Sequence, residues 1–404
     1  MTIRIDQKPQ VDFQPIHQSV PITFHYDVHF TRGLFETNNP LLAKIMVADR
    51  KARIKQAIAV IDSGVLQHHQ QLLKKLQDYS EHHQNFFTLV GKPIIVKGGE
   101  ECKNSPKLIE SIHAFIDQVG LCRHSYILAI GGGAVLDLVG YAAATAHRGI
   151  RLIRIPTTVL AQNDSGIGVK NGVNAFGKKN FLGTFAPPYA VLNDFNFLTT
   201  LDDRDWRSGI AEAIKVALIK DADFFEFISI YVGELVSRDR SIMEQVIYRC
   251  AQLHLQHIAN SGDPFENGCS RPLDFGHWAA HRLEHLTNYR LRHGEAVAIG
   301  LALDCTYSYL SGLLSQQHWQ KILTTLAALG FSFYISELGL TSYNGELFQG
   351  LSEFQQHLGG ELTITLLQEI GKVREVHQVD LKCYQLSVNV LENWVKSQRE
   401  NLFS

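Results

Sequence analysis

Between Tyr126 and Gly140 the chain reads YILAIGGGAVLDLVG, an apolar run that meets three glycines and then small and branched residues at helical spacing. Few folds accommodate this. A short, continuous apolar run ending in glycine reads as a strand buried on both faces, the pattern of a parallel sheet. Glycines at the strand–helix turn let the backbone pass close to a ligand. The helix that follows offers free N–H groups and the positive end of its dipole. Gly131, Gly132 and Gly133, with Asp137 expected in the first helical turn, are therefore a candidate pyrophosphate site. The signature is incomplete, because Leu136 stands where the third glycine of G-x-G-x-x-G would fall. Read blandly, the same residues make a tight turn with a carboxylate favouring the helix dipole.

The flanking sequence extends the pattern. Ala57 to Asp62, Phe87 to Val90, Ile94 to Val96 and Leu152 to Ile155 read as strands, Ile22 to His29 alternates as another, and Ser105 to Val119 has helical periodicity. Strands alternating with helices predict an α/β layer with a mainly parallel sheet. Asp62 closes one strand, where a carboxylate can accept ribose hydroxyls. Beyond about residue 200 helical periods dominate, from Asp202 to Ile219 through His318 to Leu329, with one strand signal at Leu362 to Leu367. The expectation is an α/β nucleotide-binding domain over 1–199 and an all-α domain over 200–404, with the active site between them.

Composition narrows the function. The 404 residues are 45% hydrophobic and 19% charged, with a net charge of −2, so no basic surplus argues for nucleic acid. No apolar run is long enough to span a bilayer, and Met1 to Gln10 lacks the apolar core of a secretory signal. The cysteines at 102, 122, 250, 269, 305 and 383 form no C-x-x-C pair. A reducing cytoplasm is expected.

From Arg148 to Phe185 the chain reads RGIRLIRIPTTVLAQNDSGIGVKNGVNAFGKKNFLGTF, and GIAEAIKVALIKD, LDFGHWAAH and RHGEAVAIG follow in order. This series resembles the signature blocks of the 3-dehydroquinate synthase, or sugar-phosphate cyclase, family over roughly residues 55 to 310. The resemblance implies an enzyme that uses NAD⁺ transiently, oxidising a substrate carbon, eliminating phosphate, returning the hydride and closing a carbocycle. It implies metal ligation by Glu212, His277 and His293. The chemistry agrees, since three N/O ligands with an open position suit zinc or another divalent ion such as cobalt. His277 and His281 also form an H-x-x-x-H pair on one helical face, which could itself bind metal.

Further positions follow from the same resemblance. Glu100, Lys103, Thr157, Thr158 and Thr199 join the glycines and Asp137 as nucleotide contacts. Asp164 and Lys215 match contacts to substrate hydroxyls, and Lys170, Lys179, Asn180 and His281 match phosphate or substrate contacts. Arg148 matches an arginine inserted across a homodimer interface toward the phosphate. Lys178 matches no such position and reads as surface.

The substrate end departs from dehydroquinate synthases. Where a Lys and an Arg would hold the substrate carboxylate, this chain has His254 and Ser270, with Arg271 adjacent. Asp274 replaces an Asn, and HLGGELTITLL, His357 to Leu367, replaces a lysine pair. Asp274, the G-V-N-x-x-G-x-K-N stretch and the N-terminal ITFHYDVHF segment resemble instead the 2-epi-5-epi-valiolone synthase branch, whose substrate, sedoheptulose 7-phosphate, has no carboxylate. His281 resembles the dehydroquinate synthases. The expectation is a neutral seven-carbon ketose phosphate, with 3-deoxy-D-arabino-heptulosonate 7-phosphate as the alternative. A more distant alternative is an iron-type alcohol or glycerol dehydrogenase, against which Lys170, Lys179 and Asn180 argue.

Overall fold

The computed structural model describes residues 15–47, 54–260, 272–339 and 345–403. One sheet contains β1 (Asp27–Thr31), β2 (Lys55–Asp62), β3 (Phe87–Leu89), β4 (Ile94–Val96), β5 (Tyr126–Gly131) and β6 (Arg151–Pro156). A hairpin of β7 (Lys170–Ala175) and β8 (Lys178–Phe185) stands apart from it, and β9 (Ala190–Asp194) returns to it. The order is β1-β9-β6-β5-β2-β3, β4 also pairs with β2, and all these pairings are parallel.

The continuous apolar runs are explained by burial on both faces. Ala57, Ala59, Ile61, Leu128 and Ile130 pack on one side with Leu72, Leu76 and Tyr79. Ile58, Val60, Ile127 and Ala129 pack on the other with Ile112, Ile116 and Val139. From β2 the chain moves to the β3 edge, and from β5 it moves the opposite way to β6. The ends of β2 and β5, Asp62 and Gly131, therefore flank a topological switch point, where open α/β sheets bind ligands.

The strand expected over Ile22–His29 is instead β1, Asp27–Thr31, paired in register with Ala190–Asp194. Alternation marked the apolar residues but could not show where the partner strand begins. Ile22 and Phe24 lie before the pairing and are exposed.

The second half is helical, with helices Asp203–Lys220, Ala222–Ile230, Arg240–Asn260, His277–Leu286, His293–Leu310, Gln316–Ala328 and Leu381–Phe403 among its elements. A hairpin, β10 (Ile364–Glu369) and β11 (Lys372–Val376), occupies the one strand signal seen there. The Asp203–Lys220 helix is capped by Asp202, which accepts from the Asp205 amide, and is buried from Ser208 to Ile219. Gly276 adopts φ +76, and a Cβ on Gly300 would stand 2.0 Å from its carbonyl oxygen. That close crossing seats the start of the His277 helix against the His293 helix. No helix among the described residues is long and apolar enough to cross a membrane.

Candidate active site

Glu212, His277 and His293 come from three helices, and their ligand atoms all lie within 4.8 Å of one another. His293 Nε2 and His277 Nε2 stand 3.2 and 3.5 Å from Glu212 Oε1. Each ring is held by its other nitrogen. His277 Nδ1 lies 3.1 Å from the Phe275 carbonyl oxygen, and His293 Nδ1 lies 3.3 Å from Glu284 Oε2. With Nδ1–H donating there, both Nε2 atoms point toward Glu212, which is how ligand imidazoles are oriented.

Glu212 is fully buried, and neither of its oxygens accepts a hydrogen bond of normal geometry, although Lys215 Nζ stands 2.5 Å from Oε2. Lys215 compensates Oε2, but Oε1, which faces both Nε2 atoms, has no donor of normal geometry, and a cation there would complete the carboxylate. The residues therefore fit a divalent metal. Burial opposes ionisation of Glu212, but Lys215 and then His277 outweigh it and hold the carboxyl well below its usual range. The His281 ring packs edge-on to His277 and faces His293. It shares a possible donor group with Glu284 and His293 rather than with His277, so the H-x-x-x-H pair is not brought together as a chelate. The His281 side chain reaches the surface but its ring is crowded by His277 and His293, and lost hydration and then the Lys179 charge push its pKa down.

Asp164 sits on a single π-turn, Ala161–Ser165, a rare geometry that recurs at functional sites. Its Oδ1 lies 2.9 Å from His254 Nδ1 and 3.9 Å from Lys215 Nζ. Burial raises the Asp164 pKa, but Lys215 more than offsets it together with His254, and the net shift is downward. Asp274, on the Pro272–Asp274 turn, adds to the negative charge that keeps Lys215 protonated. Ser270 and Arg271 lie outside the described residues.

The glycine turn is built as a cradle. Gly98 packs against Asp62 so closely that a Cβ there would meet Oδ2 at 2.1 Å, and a Cβ on Gly131 would stand 3.2 Å from Asp62 Cβ. The Thr157 amide donates to the Gly131 carbonyl at 3.0 Å, and Thr158 lies against Gly132. Thr199 is exposed, on the Phe195–Thr200 turn, and its hydroxyl donates to Asn196 O. Asp137 is not in the first helical turn. The helix starts at Gly133, and Asp137, its fifth residue, lies 2.8 Å from Lys103 Nζ. Its negative charge therefore serves the buried Lys103 rather than the free amides. Glu100, 3.5 Å from the same Nζ, completes this pairing.

The β7–β8 hairpin bridges the two regions. Lys179 Nζ donates to Glu284 at 3.0 and 3.1 Å, while Asn180 accepts from Lys103 through a short bond. Lys170 opens the hairpin and is exposed, and Lys178 stacks on Phe181. Arg148 is exposed and, like His147, has a left-handed backbone, φ 62 and 51. Two successive non-glycine residues in that region store strain, as functional segments often do.

Two residues of the site were not anticipated. Glu284 could have been found at i+7 from His277 on the helical face that also carries His281. Arg154 could not, because its role lies in contacts to a loop. Its guanidinium is fully buried and donates to the carbonyls of Gly166, Gly168 and Lys170 and to Asn171 Oδ1. A surface groove of about 590 Å³, walled by Phe30, Phe195, Phe227 and Tyr248, contains none of these site residues.

The sequence model described as 3-dehydroquinate synthase N-terminal matches residues 93–208, and that described as 3-dehydroquinate synthase C-terminal matches 209–349. A 3-dehydroquinate synthase of Pelobacter propionicus is 39% identical over 238 residues, 59% of this chain and 66% of that one. A 2-epi-5-epi-valiolone synthase of Streptomyces glaucescens is 32% identical over 357 residues, 88% of this chain and 87% of that one. A solved 2-epi-5-epi-valiolone synthase of Streptomyces hygroscopicus, with NAD⁺ and Zn²⁺ bound, matches at a TM-score of 0.81 and 28% identity, covering 93% of this chain and 99% of that one. With both of the family's domains matched in order and relatives of this extent, the chain belongs to the 3-dehydroquinate synthase family of sugar-phosphate cyclases.

Proposed function

We propose that this protein converts a seven-carbon ketose phosphate without a carboxylate, sedoheptulose 7-phosphate, into a carbocycle with loss of phosphate. Glu212, His277 and His293 would hold a divalent metal, zinc or cobalt. Asp62, Glu100, Lys103, Gly131–Gly133, Asp137, Thr157, Thr158 and Thr199 would hold NAD⁺, with Asp62 on a ribose. Bound there, the metal supplies polarisation of a hydroxyl and the nicotinamide a reversible hydride acceptor. We place the boundary between the nucleotide-binding and helical domains at 199/200.

The protein's own residues orient the sugar and hold its charges. Asp164, kept ionised by Lys215 and His254, accepts substrate hydroxyls. Lys215 stays cationic between Glu212 and Asp164 and would steady negative charge developing on the hydroxyl oxygen of the carbon being oxidised. Lys170, Lys179, Asn180 and neutral His281 bind the phosphate, and Arg148 of a second copy completes that site in a homodimer. Removal of the proton beside the new ketone falls to the phosphate dianion, so these groups position the base rather than act as it. Such positioning is a large source of rate.

One observation carries the substrate choice. His254, where a carboxylate-binding lysine would stand, is paired with Asp164 at 2.9 Å, and Lys215 beside it is already matched by Glu212 and Asp164. Neither His254 nor Lys215 offers a substrate carboxylate an uncommitted cation. A deficit of about 3 kcal/mol there is more than a hundredfold in binding. The second reading, a 3-dehydroquinate synthase, is favoured by His281 and by Arg271 next to the expected arginine position. Measuring kcat/KM for sedoheptulose 7-phosphate and for 3-deoxy-D-arabino-heptulosonate 7-phosphate separates the two. Sedoheptulose 7-phosphate should be preferred. Preference for the carboxylated sugar, abolished in Arg271→Ala, would establish the second reading.

A further inference from the structure

Glu284 has no part in the chemistry above, yet two halves of the site meet on it. It lies on the His277–Leu286 helix, 5% exposed at the side chain. Lys179 Nζ donates to both its oxygens, at 3.0 and 3.1 Å, and Oε2 also lies 3.3 Å from His293 Nδ1. The same carboxylate therefore touches a candidate metal ligand and a candidate phosphate cation that stand more than a hundred residues apart in the chain.

We propose that Glu284 is a positioning residue that aims His293 at the metal and holds Lys179 at the anion site. The inference rests on the metal-site reading of Glu212, His277 and His293. A carboxylate that accepts the Nδ1 proton fixes the tautomer, leaves the Nε2 lone pair facing Glu212 and raises the ring's basicity toward a metal. His277 has only a backbone carbonyl in the equivalent place. The two imidazoles are thus held unequally, and His293 depends on a charge. Lys179 depends on the same charge. It lies on the exposed Lys178–Phe185 strand, outside the main sheet, and Glu284 ties it to the helical half. Without Glu284 the Lys179 ammonium would stand beside His293 and His281 uncompensated, and a cation there opposes a second cation at the metal position.

The test separates the hydrogen bond from the charge. Glu284→Gln keeps an acceptor for His293 and removes the charge, and Glu284→Ala removes both. Metal-free protein is titrated with Co²⁺ by calorimetry, then with inorganic phosphate, after circular dichroism has verified the fold. Co²⁺ affinity should fall about tenfold in Glu284→Gln and about a hundredfold in Glu284→Ala. Phosphate affinity should fall in both. Lys179→Met should weaken phosphate while leaving Co²⁺ affinity at or above that of the parent, a split that general loosening would not produce. Folded Glu284 variants that bind Co²⁺ within twofold of the parent would overturn the proposal. His277→Ala is the control: parental Co²⁺ affinity in that variant would remove the metal-site reading itself, a failure distinct from that of Glu284.

Discussion

Replacing Arg154 with methionine removes a cation that touches no substrate, and it should still cost activity. The guanidinium is fully buried and binds Gly166 O at 3.1 Å, Gly168 O at 2.8 Å, Lys170 O at 2.7 Å and Asn171 Oδ1 at 2.7 Å. These acceptors run along the segment between Asp164 and β7, so one side chain sets the path between two candidate substrate contacts. At the low end of about 1 kcal/mol each, four stranded acceptors cost about 4 kcal/mol. Relief from burying a cation opposes this, and burial alone lowers the Arg154 pKa. A net loss of about 2 kcal/mol in urea unfolding is expected. The effect on kcat should be larger, about a hundredfold, because small displacements of positioning groups are amplified in rate. Arg154→Lys should rescue little, since one ammonium cannot reproduce a planar fork that serves four acceptors. Phosphate release and the urea midpoint measure the two quantities. A folded Arg154→Met enzyme with parental kcat would refute the argument that this arginine positions the loop.

Three other outcomes are expected. In metal-free protein, burial opposes a charge on His293, but the Glu284 carboxylate and then the Glu212 carboxylate beside the ring prevail and push its pKa up to about 9. Zinc binding near neutral pH should therefore release about one proton from this ring, measured by calorimetry in buffers of different ionisation heat, and no release would contradict it. Asp304 is buried, and loss of hydration pushes its carboxyl up to about 7 against donors from Trp278, Tyr384 and Gly276. A raised carboxyl favours the fold most at low pH, so stability relative to Asp304→Asn should fall by up to about 4 kcal/mol as pH rises from about 4 through 7, and a flat difference would be the contrary result. His254→Lys should raise kcat/KM for the carboxylated sugar by about tenfold, the low end for a charge-assisted bond because Asp164 competes for the new ammonium; no gain would show that His254 does not set specificity.

What the sequence revealed depended on how local the chemistry is. The glycine turn was legible as a strand–helix turn, and the three metal-ligand candidates were singled out through short motifs that resemble the family's. The strands β2 and β5 were legible because both faces are buried and the apolar run is unbroken. The N-terminal strand was displaced because alternation begins before Asp27, the residue that pairs with Ala190 at the start of β9. Asp137 was misplaced by a turn because the true helix start depends on backbone geometry at Gly132 and Gly133. Arg154 escaped because its partners are brought together only by folding, whereas Glu284 was overlooked on the helical face that carries His277 and His281.

The most direct test follows phosphate and reduced nicotinamide in one reaction. Protein loaded with NAD⁺ and Zn²⁺ is given sedoheptulose 7-phosphate, and the product is identified by mass. Inorganic phosphate should appear in equal amount to a carbocyclic product, with no accumulation of NADH. Substrate oxidation that accumulates NADH and releases no phosphate would contradict a cyclase and leave a dehydrogenase on this fold.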